Sequence, residues 1–446
     1  MTFEELNLSK GLLSALSDLK MTTPTTIQAK TFSVTMSGRD VQAIAQTGTG
    51  KTFAYLLPLL RMWKYSKDRH PQILIVVPTR ELVAQVVEQT KSLCIYMNAE
   101  VVGVYGGTNL RVQAAEVAQG LDILVGTPGR LLDLGYHGAL NLKMIKKLVI
   151  DEVDEMLQLG FRSQLEHLFD LLPEKRQNLL FSATMSEDVE ALIANYFNTP
   201  EKIEAAPSGS PLTNINQIAY EVPNFNTKIN LIKHLMQTET TFTKVLIFVS
   251  TKAMADNVFE ILGGKENEKI GLIHSNKDQN YRFNAVNSLK DGTYTYLIAT
   301  DIIARGLDID DVSHVINFDL PEEIQNYIHR IGRTGRADRK GESIALVSDV
   351  ETDLMLEIEA FMDFKVPKME TPSEVEISDI LTDDELPKIQ MRNVLGKVPK
   401  LNVDSGAYHE KKAKNALVNK KVNIKEKMHA KYGKPITRGQ KGRKKK

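Results

Sequence analysis

Residues 41–52 read VQAIAQTGTGKT and contain the strongest structural signal in the chain. The run Val41–Ala45 has the apolar character of a strand that is covered on both faces. The glycines that follow allow backbone N–H groups to converge on phosphate oxygens, and the amino terminus of the next helix adds a favourable dipole. Lys51 can reach the β- and γ-phosphates of a nucleotide, and the Thr52 hydroxyl can bind Mg²⁺. A strand–loop–helix unit that binds phosphate is therefore predicted, in preference to a chance glycine-rich turn.

Similar apolar runs recur along the chain, separated by segments of helical length. This alternation predicts βαβ units, parallel sheets and an α/β fold. Besides Val41–Ala45, the predicted strands are Ile73–Val77, Ile123–Val125, Leu148–Ile150, Leu179–Phe181, Val245–Val249, Ile270–Ile273, Tyr296–Ala299, Val315–Phe318 and Ile344–Val347.

The stretch Ala205–Thr213, AAPSGSPLT, has the Pro/Gly/Ser composition of a linker. It separates two predicted α/β domains, residues 1–204 and 214–368. Residues 369–446 are first acidic and then rich in lysine, with few aromatic side chains, so we expect this segment to be disordered.

Composition places the chain among globular proteins, with 42 % hydrophobic and 25 % charged residues in 446. Its single cysteine, Cys94, excludes a disulfide framework and a cysteine-based zinc site. The amino-terminal segment lacks the pattern of a secretory signal, and no apolar stretch approaches the roughly 18 residues of a membrane span. A cytoplasmic protein without a membrane partner is therefore expected.

The formal net charge of zero conceals a strong asymmetry. Residues His409–Lys446 contain 15 Lys or Arg and two Glu, a net charge of +13, so residues 1–408 carry −13. A basic tail on an acidic body points to an anionic polymer as partner. A solvated tail that only increases solubility is the alternative.

A second motif, Leu148–Asp154, supplies the acidic groups that nucleotide hydrolysis requires. Asp151 leaves the predicted strand and can hold Mg²⁺ through a coordinated water, and Glu152 can orient and deprotonate the attacking water. The alternative is an ordinary acidic helix start. The phosphate loop about a hundred residues upstream favours the catalytic interpretation.

A third motif, His329–Arg336 (HRIGRTGR), contains three arginines spaced by three residues. Guanidinium groups match phosphate oxygens, and an arginine supplied across an interface stabilises the charge of phosphoryl transfer. This spacing could aim several guanidinium groups at one anionic point, whereas a basic surface loop is the alternative. Because the linker lies between this motif and the phosphate loop, the catalytic site would be complete only when the two domains meet.

Together these motifs resemble the DEAD-box RNA helicases of superfamily 2, over residues 3–350. The resemblance implies two tandem RecA-like domains with parallel sheets, followed by a disordered basic tail. Within the family, the chain is similar to the bacterial cold-shock type. The motifs that carry it, in order, are Phe3 with Pro24–Gln28, the phosphate loop, Pro78–Leu82, Gly106–Gly107, Thr127–Arg130, Asp151–Asp154, Ser182–Thr184, Leu246–Thr251, Gln279 with Arg282, Ala299–Asp308 and His329–Arg336.

The resemblance implies a role for each matching residue. Gln28 would read the adenine edge, Asp308 would touch the ribose, and Arg333 and Arg336 would reach the γ-phosphate. The catalytic residues would be Lys51, Asp151, Glu152, Arg333 and Arg336, with Thr52 and Asp151 at Mg²⁺, Asp151 largely through water. The ATP-binding residues would be Phe3, Met21, Gln28, Ala45, Gln46, Thr47, Gly48, Thr49, Gly50, Lys51, Thr52 and Asp308. Asp154, Ser182 and Thr184 would couple hydrolysis to strand separation. RNA would contact Thr79, Arg80, Gly107, Thr127, Gly129, Arg130, Arg282 and Thr300.

Three positions depart from the family pattern. Ala45 stands where the general phosphate-loop pattern has Gly, and Val153 stands where the family name implies alanine. Met21 stands where the family usually has an aromatic residue that stacks on adenine, and it offers a polarizable thioether instead. The substitution at Met21 is expected to affect affinity for adenine and not specificity.

The predicted function is ATP-dependent separation of short RNA duplexes or remodelling of RNA–protein complexes, driven by closure of the two domains. The partner would be single-stranded or short duplex RNA, bound without sequence specificity, with ribosome-assembly intermediates or RNA-decay machinery as further candidates. One alternative is a DNA translocase or repair helicase, which Gln28 and the acidic motif disfavour. The other is an ATP-dependent RNA clamp or assembly scaffold that unwinds little.

Overall fold

The structure is a computed structural model that describes residues 1–382 and 385 apart from 46–47, 69, 205–213, 265, 302–308, 310–311 and 336–339. The predicted linker and the lysine-rich tail therefore lie outside the described residues. Two parallel sheets are present in the described part of the chain, one on each side of the linker.

Each sheet is built from strands that pair in parallel throughout. The first contains β1 (Val41–Ile44), β2 (Ile73–Val76), β3 (Val101–Val104), β4 (Ile123–Gly126), β5 (Lys147–Ile150), β6 (Gln177–Ser182) and β7 (Glu201–Glu204). The second contains β8 (Ile215–Glu221), β9 (Val245–Val249), β10 (Ile270–Ile273), β11 (Tyr296–Thr300), β12 (His314–Asn317), β13 (Gly341–Val347) and β14 (Lys368–Met369). Every predicted run overlaps a strand, and the α/β prediction is confirmed.

Helices alternate with these strands. In the first domain they are α1 (Lys10–Asp18), α2 (Thr26–Met36), α3 (Lys51–Met62), α4 (Arg80–Leu93), α5 (Leu110–Ala118), α6 (Pro128–Tyr136), α7 (Val153–Gln158), α8 (Arg162–Leu171) and α9 (Glu187–Tyr196). In the second they are α10 (Phe225–Thr238), α11 (Lys252–Ile261), α12 (Gln279–Lys290), α13 (Ile324–Ile331) and α14 (Thr352–Met362). Short 3₁₀ helices cover Glu4–Leu6, Leu142–Met144 and Asp349–Glu351. Among the described residues, none of the helices combines the length and apolarity needed to cross a bilayer.

Burial on both faces explains why the strands lack polar alternation. In β2, Ile73 and Ile75 pack into the apolar cluster on one face of the first sheet. The intervening Leu74 and Val76 pack into the cluster on the opposite face. Successive side chains of a strand point to opposite faces, so a sheet sandwiched between helices requires apolar residues at every position.

The two sheets share one strand order. It is β3-β4-β2-β5-β6-β1-β7 in the first domain and β10-β11-β9-β12-β13-β8-β14 in the second. Each strand of the first domain thus has a counterpart seven strands later. In parallel sheets of this kind, ligands bind at the carboxyl ends of the strands, which is where the sequence motifs lie.

The second domain extends beyond residue 368, where the disordered segment was predicted to begin. Lys368–Met369 form β14, which pairs with β8, and Val375 is buried in the apolar core. The following residues run along α10, where the Asn224 side chain donates to the Ser378 carbonyl and the Asn226 side chain to the Ile380 carbonyl. Residues 369–382 therefore pack on the second domain, beyond the boundary of 368 that composition predicted.

Candidate functional site

The phosphate loop joins β1 to α3 and depends on two glycines. Gly48 and Gly50 have φ angles of 78° and 89°, in the left-handed region that a side chain rarely adopts. At Gly50 a Cβ atom would also lie 2.5 Å from the Gln28 amide nitrogen. Lys51, the first residue of α3, is buried, and its ammonium group has no hydrogen-bond partner among the described residues. Burying a cation without a partner costs free energy of folding, and an anionic ligand would supply the partner.

The Gln28 side chain links the start of α2 to this loop. Its amide oxygen accepts from the Thr25 backbone N–H at 3.0 Å, and its amide nitrogen donates to the Gly50 carbonyl at 3.2 Å. Phe3 is buried in the core of the first domain, and Met21 is half-buried against the same core. In this conformation both ends of the Gln28 amide are paired within the protein.

Asp151 stands at the carboxyl end of β5 with both carboxylate oxygens engaged. Oδ1 accepts from the Glu152 backbone N–H at 3.0 Å, and Oδ2 accepts from the Tyr55 hydroxyl at 3.1 Å. Burial raises the pKa of Asp151 to about 6, against the opposing charge of Lys51. Burial and the neighbouring Asp151 carboxylate likewise raise the pKa of Tyr55 well above its ordinary value, so Tyr55 is a proton donor at neutral pH.

Glu152 is the N-cap residue immediately before α7, and its φ angle of 53° is unusual for a residue with a side chain. Strained backbone of this kind is concentrated at functional sites. Burial opposes ionisation of Glu152, but a hydrogen bond with Glu155 and the charges of Lys51, Arg333 and His329 favour it. The pKa of Glu152 consequently lies below its ordinary value. The side chain is a carboxylate at neutral pH, as a general base must be.

Asp154 is held by the loop after β6. Its Oδ2 accepts from the Thr184 hydroxyl at 2.8 Å, the Thr184 backbone N–H at 2.9 Å and the Ala183 backbone N–H at 3.2 Å. Ser182 does not bond to Asp154; its hydroxyl donates to the Thr184 carbonyl at 2.6 Å. The carboxyl ends of β5 and β6 are thus tied together.

Residues from both domains line one small cavity at this point. Lys51, Glu152 and Asp154 come from the first domain, and His329 and Arg333 come from α13 and the turn after it. Arg333 is buried, and its Nε donates to the His329 carbonyl at 3.3 Å. A cation from the second domain therefore faces the phosphate loop and the acidic motif of the first.

Arg330, the first of the three spaced arginines, does not share this position. Its guanidinium pairs with the Asp301 carboxylate at 2.5 and 2.7 Å and donates to the Asp319 carbonyl at 2.6 Å. The side chain is 2 % exposed. Helical geometry turns Arg330 inward to brace the carboxyl ends of β11 and β12, and the third arginine, Arg336, lies outside the described residues.

Two further sets of contacts join the domains. Glu81 on α4 pairs with Arg282 on α12 and accepts from the Gln279 side chain at 2.8 Å. Gln325 on α13 has its Oε1 3.0 Å from the Gln158 amide nitrogen and 3.2 Å from the Thr184 hydroxyl oxygen. The hydroxyl that holds Asp154 is therefore also in contact with the second domain.

Comparison with known proteins agrees with this geometry. A family model of the DEAD/DEAH box helicase matches residues 25–192, and one of the helicase conserved C-terminal domain matches residues 227–338. The ATP-dependent RNA helicase DbpA of Bacillus subtilis is 38 % identical over 84 % of this chain and 78 % of its own length. The DEAD-box ATP-dependent RNA helicase RhpA of Helicobacter pylori is 37 % identical over 83 % of this chain and 75 % of its own. The chain belongs to the DEAD-box helicase family.

A solved structure of a relative resembles this helicase in both domains. Dbp5 of Saccharomyces cerevisiae bound to RNA and ADP-BeF3 matches with a TM-score of 0.76 at 29 % identity, over 83 % of this chain and 96 % of that one. The prediction of two tandem RecA-like domains is confirmed.

The predicted RNA-contact residues of the first domain lie after β2, β3 and β4, apart from the phosphate loop and the acidic motif. Thr79 caps α4, where its hydroxyl oxygen accepts from the Leu82 backbone N–H. Gly107 has a φ angle of 80°, and a Cβ there would collide with the Arg80 guanidinium. Thr127 starts α6, and Gly129 follows in its first turn. These residues share one edge of the helicase.

Arg130 and Arg282 were predicted to hold RNA, but the structure gives both of them protein partners. Arg130 is buried and donates to the Gln113 side chain at 2.6 Å and to the Thr108 carbonyl at 2.9 Å, so it braces the loop after β3. Arg282 pairs with Glu81 across the domains. Thr300 ends β11 and is buried. Gln46, Thr47, Asp308 and Arg336 lie outside the described residues.

Tyr55, Glu81 and Gln325 are among the residues of the helicase site that the sequence-based prediction did not include. Tyr55 follows Lys51 by one helical turn, a spacing that could have placed it beneath the loop. Glu81 lies inside the motif Pro78–Leu82, next to the predicted contact Arg80. Gln325 carried no signal, because its partners lie more than 140 residues away in sequence.

Proposed function

We propose that the helicase uses ATP binding and hydrolysis to separate short RNA duplexes or to remodel RNA–protein complexes. The observation that carries the proposal is the cavity shared by Lys51, Glu152 and Arg333. The residues suited to hydrolysis reside on one domain and the cation suited to the γ-phosphate on the other. The site is complete only when the domains are closed, so domain closure and hydrolysis are coupled.

The residues present fit ATP and Mg²⁺. Within the described part of the chain the buried ammonium of Lys51 has no hydrogen-bond partner, and a phosphate would supply one. The oxygen donors of Thr52 and Asp151 are of the type Mg²⁺ prefers. When bound, Mg²⁺ would neutralise charge on the phosphates. Glu152 would take the proton of the attacking water, while Arg333, with Arg336 by resemblance, would stabilise the charge that develops on the γ-phosphate.

RNA would lie along the loops after β2, β3 and β4, with Thr79, Arg80, Gly107, Thr127 and Gly129, and would reach Thr300 on the second domain. Backbone amides, hydroxyls and one guanidinium suit sugar–phosphate contacts, which carry no sequence information. RNA is then selected over DNA through its 2′-hydroxyl groups. Glu81, Gln279 and Arg282 connect this side of the two domains, which supports coupling of RNA binding to closure.

ATP and RNA each favour the closed arrangement, so each raises the affinity for the other by the same factor. The Dbp5 structure with a comparable arrangement of its domains contains both RNA and ADP-BeF3, which supports this assignment. Closure would bend one strand along a path that a duplex cannot follow. Each base-pair step that is opened loses about 1.4 kcal/mol of stacking free energy, on the DNA scale. This cost limits such an enzyme to short helices.

The test combines multiple-turnover ATPase assays with strand displacement on RNA and DNA duplexes of increasing length. We expect turnover that depends on RNA and displacement that declines steeply with duplex length. Equal activity on long DNA duplexes would identify a translocase instead. Tight ATP-dependent RNA binding without multiple turnover would identify an RNA clamp.

The half-buried position of Met21 leads to a prediction for ATP affinity. If Met21 occupies the adenine-stacking position, Met21→Phe should tighten ATP binding by about 0.5–1 kcal/mol, since aromatic stacking adds to simple burial. Calorimetric titration with ATP and GTP measures the change, and RNA affinity without nucleotide should stay constant. A weaker affinity for ATP, or acceptance of GTP, would show that Met21 lies elsewhere.

The charge of +13 on His409–Lys446 leads to a prediction for RNA affinity. Lysines suit a flexible phosphate backbone, and each phosphate contact with single-stranded RNA changes log affinity by about 0.7 per unit of log salt. If four tail residues engage, a variant ending at Ser405 should show a slope that is flatter by roughly 3. Salt titrations of RNA binding by both proteins measure this slope. Parallel slopes would mean that the tail is a solvated charge run or docks on protein.

A further inference from the structure

Tyr55 occupies an unusual place for an aromatic core residue. It lies on α3, one helical turn after Lys51, and is completely buried. Its ring packs edge-to-face on Phe181 of β6, with centroids 5.2 Å apart. The ring fills core space between the helix and the sheet, while the hydroxyl reaches the carboxyl end of β5, where Asp151 stands.

The Tyr55 hydroxyl reaches the Asp151 carboxylate. It donates to Asp151 Oδ2 at 3.1 Å. A phenol has a single proton, and an ionised carboxylate can only accept. The bond therefore runs from Tyr55 to Asp151.

We propose that Tyr55 is a positioning residue that fixes Asp151, a candidate magnesium ligand, through this hydroxyl. The inference rests on the proposed function, because that function assigns Mg²⁺ to this site. Asp151 receives one protein donor on each oxygen, which fixes the rotation of the carboxylate and leaves further lone pairs for water.

A purely structural role for the hydroxyl fits the surroundings less well. The ring contact with Phe181 is apolar and would be the same for phenylalanine. A buried hydroxyl destabilises a core unless it is hydrogen-bonded, and the partner of this one, Asp151, lies at the nucleotide site. Hydrogen-bond partners that orient metal ligands commonly affect metal affinity by about 10–100-fold.

The test is Tyr55→Phe, which removes one oxygen and keeps the ring. Calorimetric titration with AMP-PNP over a range of Mg²⁺ concentrations gives the half-saturating Mg²⁺ concentration, and titration in EDTA gives affinity without metal. We expect the half-saturating Mg²⁺ concentration to rise on the order of tenfold, with affinity in EDTA unchanged. Tyr296→Phe is the matched control, because Tyr296 is a buried tyrosine on the second domain whose hydroxyl contacts only the Met236 carbonyl, at 3.5 Å, among the hydrogen bonds of the described residues.

Melting temperature without nucleotide is measured for all three proteins. An unchanged half-saturating Mg²⁺ concentration in Tyr55→Phe would overturn the proposal. A loss of affinity that is equally large in EDTA would also overturn it, since the hydroxyl would then support the phosphate loop and not the metal ligands. Absence of RNA-stimulated turnover in the wild type would instead contradict the proposed function and leave this magnesium measurement intact.

Discussion

Glu152→Gln is expected to lower RNA-stimulated ATP turnover by roughly 10²–10⁴-fold, the usual contribution of a general base. Gln has the same shape as Glu and tolerates the φ angle of 53° equally, so the backbone at the start of α7 should not change. Asp151, Thr52 and Lys51 remain in place, and ATP should still bind. The measurement is steady-state phosphate release at saturating RNA, together with equilibrium titration of ATP.

RNA binding should be stronger in this variant when ATP is present, because the closed state persists when hydrolysis stalls. Glu190→Gln serves as a matched control, since Glu190 is exposed on α9. Unchanged turnover in Glu152→Gln would contradict the assignment of Glu152 as the general base. Loss of ATP binding would mean that the charge of Glu152 is needed to organise Lys51 and not to activate water.

Arg333→Ala should lower RNA-stimulated ATP turnover by a comparable or greater factor. An arginine that stabilises the transferring phosphoryl group is worth about 10³–10⁵-fold in turnover. Because ADP lacks the γ-phosphate, affinity for ADP should be retained. Arg333→Lys should restore little of the turnover, since a lysine cannot reproduce the planar fork of a guanidinium. Single-turnover hydrolysis at saturating RNA measures the chemical step directly.

Arg162→Ala is the control for removal of a guanidinium, because Arg162 is an exposed residue that pairs with Glu166 and Asp188. Exposed ion pairs contribute about 0–1 kcal/mol to stability, so this control should remain active. Normal turnover in Arg333→Ala would show that the guanidinium does not reach the phosphates. A lowered melting temperature together with lost ADP binding would show a folding defect instead.

Both variants test an arrangement in which the tertiary structure selects among residues that look equivalent in the sequence. Arg330 and Arg333 have the same residue type and lie one helical turn apart. Arg330 donates hydrogen bonds to the Asp301 carboxylate and the Asp319 carbonyl, so only Arg333 of this pair faces Lys51 and Glu152. The partners of Arg330 come from β11 and β12, and no local pattern could reveal them.

The amino-acid sequence by itself determined the α/β fold and the place of the motifs on it. A strand covered on both faces must be apolar at every position, and a loop that wraps phosphate needs glycine where φ is positive, as at Gly48 and Gly50. These requirements act within a few residues, so they can be read locally. Four of the described strands, β3, β7, β8 and β14, were not predicted. In β8 the reason is the polar Gln217, whose burial depends on the distant hydroxyl of Tyr327.

Tertiary structure alone decided which side chains share a partner. Arg282 meets Glu81 across the domains, and the Tyr55 hydroxyl meets Asp151 across 96 residues of sequence. A buried charge or hydroxyl is stable only beside a complementary group, and the strand order brings those groups together. The chemistry of the nucleotide site could therefore be predicted from its motifs, whereas the contacts that orient its side chains exist only in the folded, closed helicase.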